Sequence, residues 1–286
     1  MTSPQELADR LGATGYLADE DLATVVFLAR EMRRPLLLEG APGTGKTALA
    51  EALAELEGVP LVRLQCYEGI DASQALYDWD FPRQILHLRT LEALHASGGL
   101  EASEAESSLF DERYLLERPV LQALRRAPAV LLVDEIDRAD DEFEAFLSSW
   151  SVSIPELGTV RAQVPPTVVL TSNRTRDLHD ALKRRCLYHW IDHPGLDREV
   201  AIVRRRIPEV SETLARQVVA AVQRLRTEDL VKPPGVAETL DWVAALQRLG
   251  SPELDLETAA RTLGAVIKYR EDAERVRQAL DRVLAR

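Results

Sequence analysis

Two cysteines in 286 residues exclude a disulfide framework. Cys66 and Cys186 read as reduced, buried thiols of a cytosolic protein. No run approaches the ~18 consecutive apolar residues of a membrane span. The opening Met1-Thr2-Ser3-Pro4-Gln5-Glu6 has neither the basic nor the apolar region of a secretion signal, so a soluble, cytoplasmic chain with no membrane partner is expected. A basic excess is missing too. The 35 Lys and Arg face 47 Asp and Glu, a formal net charge of -12. That argues against broad nucleic-acid binding, which leaves a basic footprint. No internal repeat is visible. What remains is 46% apolar and 29% charged, the balance of a globular chain long enough for one large domain or two smaller ones.

The most informative stretch is Leu36-Leu37-Leu38-Glu39-Gly40-Ala41-Pro42-Gly43-Thr44-Gly45-Lys46-Thr47-Ala48-Leu49. It reads as a short apolar strand, a glycine-rich turn and a helix opening at Thr44 or Gly45. Gly40, Gly45, Lys46 and Thr47 satisfy the P-loop pattern. Backbone N–H groups of such a loop wrap a polyphosphate only where no Cβ intervenes. The helix N-terminus adds partial positive charge. Lys46 would reach the β- and γ-phosphates, and the Thr47 hydroxyl would bind Mg²⁺. A glycine-rich turn that binds nothing is the bland alternative, but the strand–loop–helix context is present.

The second piece of chemistry is Ala129-Val130-Leu131-Leu132-Val133-Asp134-Glu135-Ile136-Asp137. A continuous apolar run bounded by Pro128 and by acids is a buried parallel strand. Its carboxylates emerge at the C-terminal end, where open α/β sheets place ligands. Downstream of a P-loop this is a Walker B element. Asp134 would hold Mg²⁺ through water, and Glu135 would polarise the attacking water. Thr167 to Thr171 is another buried strand, ending in Ser172-Asn173. Asn173 either orients that water or touches the γ-phosphate, or on its own is an ordinary strand-end turn.

The remaining segments organise around these two. Ser3 and Glu6 form a capping box for a short helix that Gly12 stops, and 19–33 is an amphipathic helix. Tyr16 lies just upstream of the P-loop strand, either against an adenine ring or in the core. The P-loop helix runs to Leu56, and Val59 to Gln65 is a strand. Tyr67 to Gln84 has no clear period and carries Tyr77, Trp79 and Phe81, as a partner-facing insertion or as core filling. Residues 85–96 and 112–126 read as helices, with a Gly/Ser/Glu-rich loop over 97–108 between them. Glu142 to Trp150 is a helix, and 152–161 a hairpin turning at Pro155-Glu156-Leu157-Gly158. Leu178 to Arg185 is a helix ending in Lys183-Arg184-Arg185, followed by a strand from Cys186 to Ile191. Those bases are either a helix end favoured by the macrodipole or an arginine finger. Cys186, His189 and His193 mimic a metal pattern. However, Cys186 and His189 face opposite ways on a strand, and no second cysteine stands at zinc-finger spacing. After Pro194-Gly195 everything reads as helix, with elements near 196–206, 211–226, 236–249, 256–268 and 270–284. The chain thus divides into an α/β domain over 1–193 and a small all-α domain over 194–286.

Gly40-Ala41-Pro42-Gly43-Thr44-Gly45-Lys46-Thr47, Leu132-Val133-Asp134-Glu135-Ile136-Asp137-Arg138-Ala139, and the hairpin before Thr171-Ser172-Asn173 resemble the AAA+ ATPases, specifically the MoxR branch. Ser153–Thr159 and Ala181–Asp192 are similar to the CoxD-type MoxR ATPases, accessory to carbon monoxide dehydrogenase. The resemblance covers essentially the whole chain. It implies a parallel sheet flanked by helices, a helical lid, and a ring, usually a hexamer, with ATP and Mg²⁺ between subunits. It also implies Walker A roles for Lys46 and Thr47 within a cofactor-binding stretch from Gly40 to Ala48. Asp134 and Glu135 take the Walker B roles and Asn173 is sensor 1, while Arg184 or Arg185 is the finger. The region around Trp79 becomes a pore-facing insertion, and 152–162 the pre-sensor-1 hairpin. A partner with a von Willebrand factor A domain and a client metalloenzyme complete the picture. Many relatives carry Pro-Arg near the start of a lid helix; here Gly235-Val236-Ala237-Glu238-Thr239-Leu240 has no arginine, so no sensor 2 residue is assigned.

The function expected is an ATP-hydrolysing remodelling chaperone. A nucleic-acid motor or loader is the alternative, disfavoured by the net charge. A small-molecule kinase is a third reading, but Asp134-Glu135 beside arginines suits attack by water better.

Overall fold

The computed structural model describes residues 3–68, 70, 75–95, 108–139 and 150–284. The expected helix over 142–149 and the loop over 97–107 lie outside them. Among the described residues, twenty α-helices and β-strands follow one another. The first part comprises α1 (Pro4–Ala13), α2 (Glu20–Glu31), β1 (Leu36–Gly40), α3 (Lys46–Glu57), β2 (Leu61–Gln65), β3 (Tyr77–Trp79) and α4 (Phe81–His95). Then come β4 (Leu115–Glu117), α5 (Pro119–Arg125), β5 (Val130–Asp134), β6 (Ser151–Ile154), β7 (Gly158–Arg161), β8 (Thr167–Ser172), α6 (Asp180–Arg185) and β9 (Leu187–Ile191). Five helices close the sequence: α7 (Leu196–Arg206), α8 (Glu212–Thr227), α9 (Val236–Arg248), α10 (Leu256–Val266) and α11 (Arg270–Leu284).

A five-stranded parallel sheet runs in the order β2-β5-β8-β1-β9. Its register pairs Leu64 with Val133 and Val133 with Leu170. The central strands β1 and β5 are buried at every residue, whereas the edge strand β2 alternates exposed and buried. That is why Leu36-Leu37-Leu38 and Val130-Leu131-Leu132-Val133 are unbroken apolar runs: both faces of a central parallel strand are covered.

By its internal contacts the chain divides into two compact units. One contains Met1–Thr24, Glu39–Ala52 and His189–Arg286; the other contains Val25–Leu38 and Leu53–Tyr188. In the first unit, the helical core gathers Val218, Val222 and Leu225 of α8 with Trp242, Val243 and Leu246 of α9, and with Val276 and Leu280 of α11. In the second, Leu131, Val133, Val168 and Leu170 pack with Leu121, Trp79 and Tyr114.

Several local expectations change. Gly12 lies inside α1, which continues to Ala13. The P-loop helix opens at Lys46, not at Thr44 or Gly45. Residues 112–126 are not one helix but a 3₁₀ turn (Glu112–Tyr114), β4 and α5, because Pro119 starts a helix at its first position and cannot sit inside one. The helix expected at 85 begins at Phe81. The three aromatics of the irregular stretch divide. Trp79 is buried in β3, paired antiparallel with β4, and meets Phe110 edge-on at 5.3 Å. Tyr77 is half-buried and Phe81 is exposed. The hairpin of β6 and β7 forms where expected.

Candidate functional site

The P-loop belongs to the first unit. β1 delivers Gly40, and α3 starts at Lys46. A Cβ on Gly40 would lie 2.4 Å from the carbonyl oxygen of Ile191, so only glycine fits there. Lys46 is buried, and its Nζ donates to the carbonyl oxygens of Gly40 and Ala41 at 2.8 Å each. The Thr44 hydroxyl donates to the Ala41 oxygen at 2.9 Å. Ammonium, hydroxyl and helix N-terminus are thus gathered at one turn, the donor set a polyphosphate requires.

Tyr16 is buried beside this turn, its Cε2 3.8 Å from where a Gly45 Cβ would stand. Burial raises its phenol above the ordinary range, Asp19 adds to this, and Arg198 opposes it. Arg198 donates to the Leu17 oxygen at 2.8 Å and pairs with Asp19, fixing the loop that carries Tyr16. His193 is held below its ordinary value, first by burial and then by Arg226, so it is neutral at pH 7. On the far side of the P-loop, the Val236 N–H at the start of α9 donates to the Gly43 oxygen at 3.0 Å.

The second unit carries the carboxylates. Asp134 ends β5, buried. Its Oδ1 accepts from the Thr171 hydroxyl and its Oδ2 from Arg63, both at 2.5 Å. The same Thr171 oxygen accepts from the Glu135 N–H at 3.1 Å, tying the tips of β5 and β8 together. Glu135 has left-handed backbone (φ 57°), which turns its side chain out of the strand direction. Its carboxylate meets Arg138 at 3.0 Å and the Asn173 Nδ2 at 3.4 Å. Glu135 and Asn173, expected to work together, are therefore brought together.

Asp137 holds this arrangement. It is buried, and accepts from the Thr175 N–H at 2.9 Å, the Thr175 hydroxyl at 2.5 Å and the Asn173 N–H at 3.4 Å. Burial pushes its carboxyl up, but these donors outweigh burial, so its pKa lies below the ordinary value. The acids also act on Cys66, which follows β2. Burial, then Asp134, Asp137 and Glu135, pushes its thiol up to about 12.

Arg184 and Arg185 are exposed at the end of α6. Arg34, just before β1, donates to the carbonyl oxygens of Arg184 (2.5 Å), Arg185 (3.0 Å) and Cys186 (3.1 Å), which caps that helix end. Among the described residues, no group of three or more His, Cys, Asp or Glu side chains is placed to hold a metal. None of the described helices is long and apolar enough to cross a membrane.

The motifs made Lys46, Thr47, Asp134, Glu135 and Asn173 readable. Thr171, Thr175, Arg63, Arg34 and Val236 were not singled out, because each acts on a residue distant in sequence. Asp137 was visible as the third acid after the β5 run, but nothing local marked it as the anchor of the β8 loop.

Residues 36–191, more than half of the chain, match the family model described as ATPase family associated with various cellular activities (AAA). An uncharacterised protein of Staphylococcus epidermidis is 22% identical over 260 residues, covering 87% of this chain and 89% of that protein. The ATP-dependent zinc metalloprotease FtsH 3 of Sphaerobacter thermophilus is 26% identical over 294 residues, covering 94% and 48%. The ATP-binding subunit ClpE of the ATP-dependent Clp protease of Bacillus subtilis is 25% identical over 263 residues, covering 87% and 34%. The chain thus spans half or less of those two longer relatives. Among solved structures, a mutant RuvB of Thermotoga maritima aligns with a TM-score of 0.49 at 15% identity, covering 99% of this chain and 78% of that one.

Proposed function

We infer the function from family and site together: the chain belongs to the AAA family of ATPases, and it is an ATP-hydrolysing enzyme. We propose that it is a remodelling ATPase of the MoxR type, working as a ring, usually a hexamer, on a partner protein. A partner with a von Willebrand factor A domain and a client metalloenzyme belong to this proposal, as does the division at residue 193 into a P-loop domain and a helical lid.

In this reading the stretch from Gly40 to Ala48, through its backbone N–H groups other than at Pro42, and the Lys46 ammonium bind the phosphates of ATP, beside Tyr16. Thr47 and Asp134 are hard oxygen donors of the kind Mg²⁺ takes. The Asp134 carboxylate lies at the end of β5 with Thr171 on one oxygen and Arg63 on the other, so Mg²⁺ would meet it through water. Mg²⁺ would neutralise charge developing on the phosphates. Glu135 orients the attacking water and takes its proton, and Asn173 holds the Glu135 carboxylate in line. Arg184 or Arg185 reaches the γ-phosphate of a neighbouring subunit.

The observation that carries the reading is the interlocked pair of strand tips: Glu135 and Asn173 within 3.4 Å, next to an Asp134 fixed by Thr171. In this reading the pair activates water, which is the acceptor of the phosphoryl group. The test is mass by light scattering, without nucleotide and with ATP and Mg²⁺, on wild type and Glu135→Gln. The Gln variant should trap ATP, form a hexamer-sized species and release no phosphate. A variant that binds ATP tightly yet stays monomeric would remove the ring and the role of Arg184 and Arg185 in a neighbour's site.

A further inference from the structure

We propose that Gly235 and Val236 are positioning residues of the P-loop, through which the helical region reads the loop by main chain where no arginine stands. This rests on the reading of the P-loop as the nucleotide site. The contact is backbone to backbone. A Cβ on Gly235 would lie 2.8 Å from the Pro42 oxygen and 2.9 Å from the Gly43 Cα. A Cβ on Gly43, at φ +76°, would lie 3.1 Å from the Gly235 Cα. The two glycines face each other with no room for a methyl group, and the Val236 N–H donates to the Gly43 oxygen across that contact.

The peptide plane makes this bond consequential. In a trans peptide the C=O of one residue and the N–H of the next point in opposite directions. Fixing the Gly43 carbonyl toward Val236 therefore aims the Thr44 N–H away from α9. Thr44 N–H is one of the donors the P-loop pattern turns toward a phosphate. The loop cannot rotate that peptide without releasing Val236 or carrying the start of α9 with it.

The start of α9 is itself held on each side. The Glu238 carboxylate accepts from the Gly235 N–H at 2.9 Å. Arg226 donates from Nε to the Pro234 oxygen at 2.7 Å and pairs through both terminal nitrogens with Glu199, which also accepts from the Thr239 hydroxyl at 2.7 Å. A peptide restrained at Pro234, Gly235 and Val236 transmits a change at Gly43 into α9 and not into local slack.

The test uses Val236→Pro. Val236 is the first helical residue, where proline is favoured, and Gly235 has the extended backbone (φ −88°, ψ −171°) that precedes proline well. The helix is kept and the N–H removed. Gly235→Ala adds the colliding methyl, and Val236→Ala keeps the N–H as a control. The dissociation constant of a fluorescent, non-hydrolysable ATP analogue and the hydrogen exchange of residues 235–243 are measured, with helicity by circular dichroism. Val236→Pro and Gly235→Ala should bind about tenfold more weakly, as loss of one oriented hydrogen bond implies. They should also lose the change in α9 exchange that nucleotide produces in wild type and in Val236→Ala. Wild-type affinity together with an intact exchange response in both variants overturns the proposal. Lys46→Ala separates the two levels: if it binds as tightly as wild type, the nucleotide reading fails and takes this one with it. If it abolishes binding while Val236→Pro leaves affinity and exchange untouched, only the main-chain coupling is wrong.

Discussion

The Glu199–Arg226 pair should behave as a unit whose halves cannot be removed singly. The Glu199 side chain is 0% exposed and that of Arg226 9%, and the two meet through paired bonds of 2.7 Å. Taking two charges out of water is costly, and their attraction offsets that cost only while both are present. Arg226→Met leaves the Glu199 carboxylate buried, with Thr239 and Gln223 as donors and no cation against it among those bonds. The expected loss is about 3–5 kcal/mol. Glu199→Met strands the guanidinium, which keeps its bond to the Pro234 carbonyl, and should cost a similar amount. The double substitution removes both charges and leaves three neutral groups, of which the Gln223 amide still donates to the Pro194 oxygen at 3.3 Å. The others are the Thr239 hydroxyl, still 3.1 Å from the Gly235 oxygen, and the Pro234 carbonyl. It should therefore be no less stable than the worse single variant. The assay is urea unfolding followed by far-ultraviolet circular dichroism on all four proteins. A double variant that loses the sum of the two singles would refute the reasoning, because it would mean that the groups contribute independently.

Asp137→Ala removes the acceptor of two short bonds from Thr175 and a longer one from Asn173. Stability should fall by about 2–4 kcal/mol on denaturant titration, with turnover falling further than nucleotide affinity because Asn173 leaves Glu135. Asp137 and Asp19 both have folded-state pKa values below the ordinary one. For Asp19, burial is again opposed, here by the Leu22 N–H and Arg198. A depressed folded-state pKa contributes stability that is present above the unfolded value and lost as pH falls through the folded one. Acid unfolding should therefore steepen below about pH 4, and less so in Asp137→Asn. Cys66, with its thiol pushed up to about 12 and buried, should resist alkylation at mildly alkaline pH until denaturant is added; labelling of the native chain at the rate of a free thiol would contradict this. Arg34→Ala exposes three carbonyls at a partly wet helix end, so stability should change by no more than about 1 kcal/mol. Phosphate release should nonetheless drop if Arg184 or Arg185 acts in a neighbour's site, and an unchanged rate would detach that role from α6.

Local chemistry made much of the fold legible. The unbroken apolar runs at Leu36 and Val130 became central strands, the P-loop pattern fell between β1 and α3, and the five C-terminal helices formed close to their expected bounds. Where reading failed, the deciding partner was remote. Residues 112–126 carry helix-forming side chains, yet Leu115–Glu117 pairs with Tyr77–Trp79, nearly forty residues earlier. Trp79 looked equally suited to a partner or to the core until Phe110 and the sheet enclosed it.

Local pattern marked the candidate residues: a lysine and threonine at a glycine turn, two acids at a strand end, and arginines at a helix end. These follow from backbone periodicity and from side-chain chemistry within a few positions. What each of them touches came from the folded chain. Asp137 anchors Thr175, Arg34 caps Arg184 and Arg185, and Val236 aims the carbonyl of Gly43. A hydrogen bond is directional over about 3 Å, so its partner is chosen by where the folded backbone brings atoms together, and no local pattern encodes that meeting.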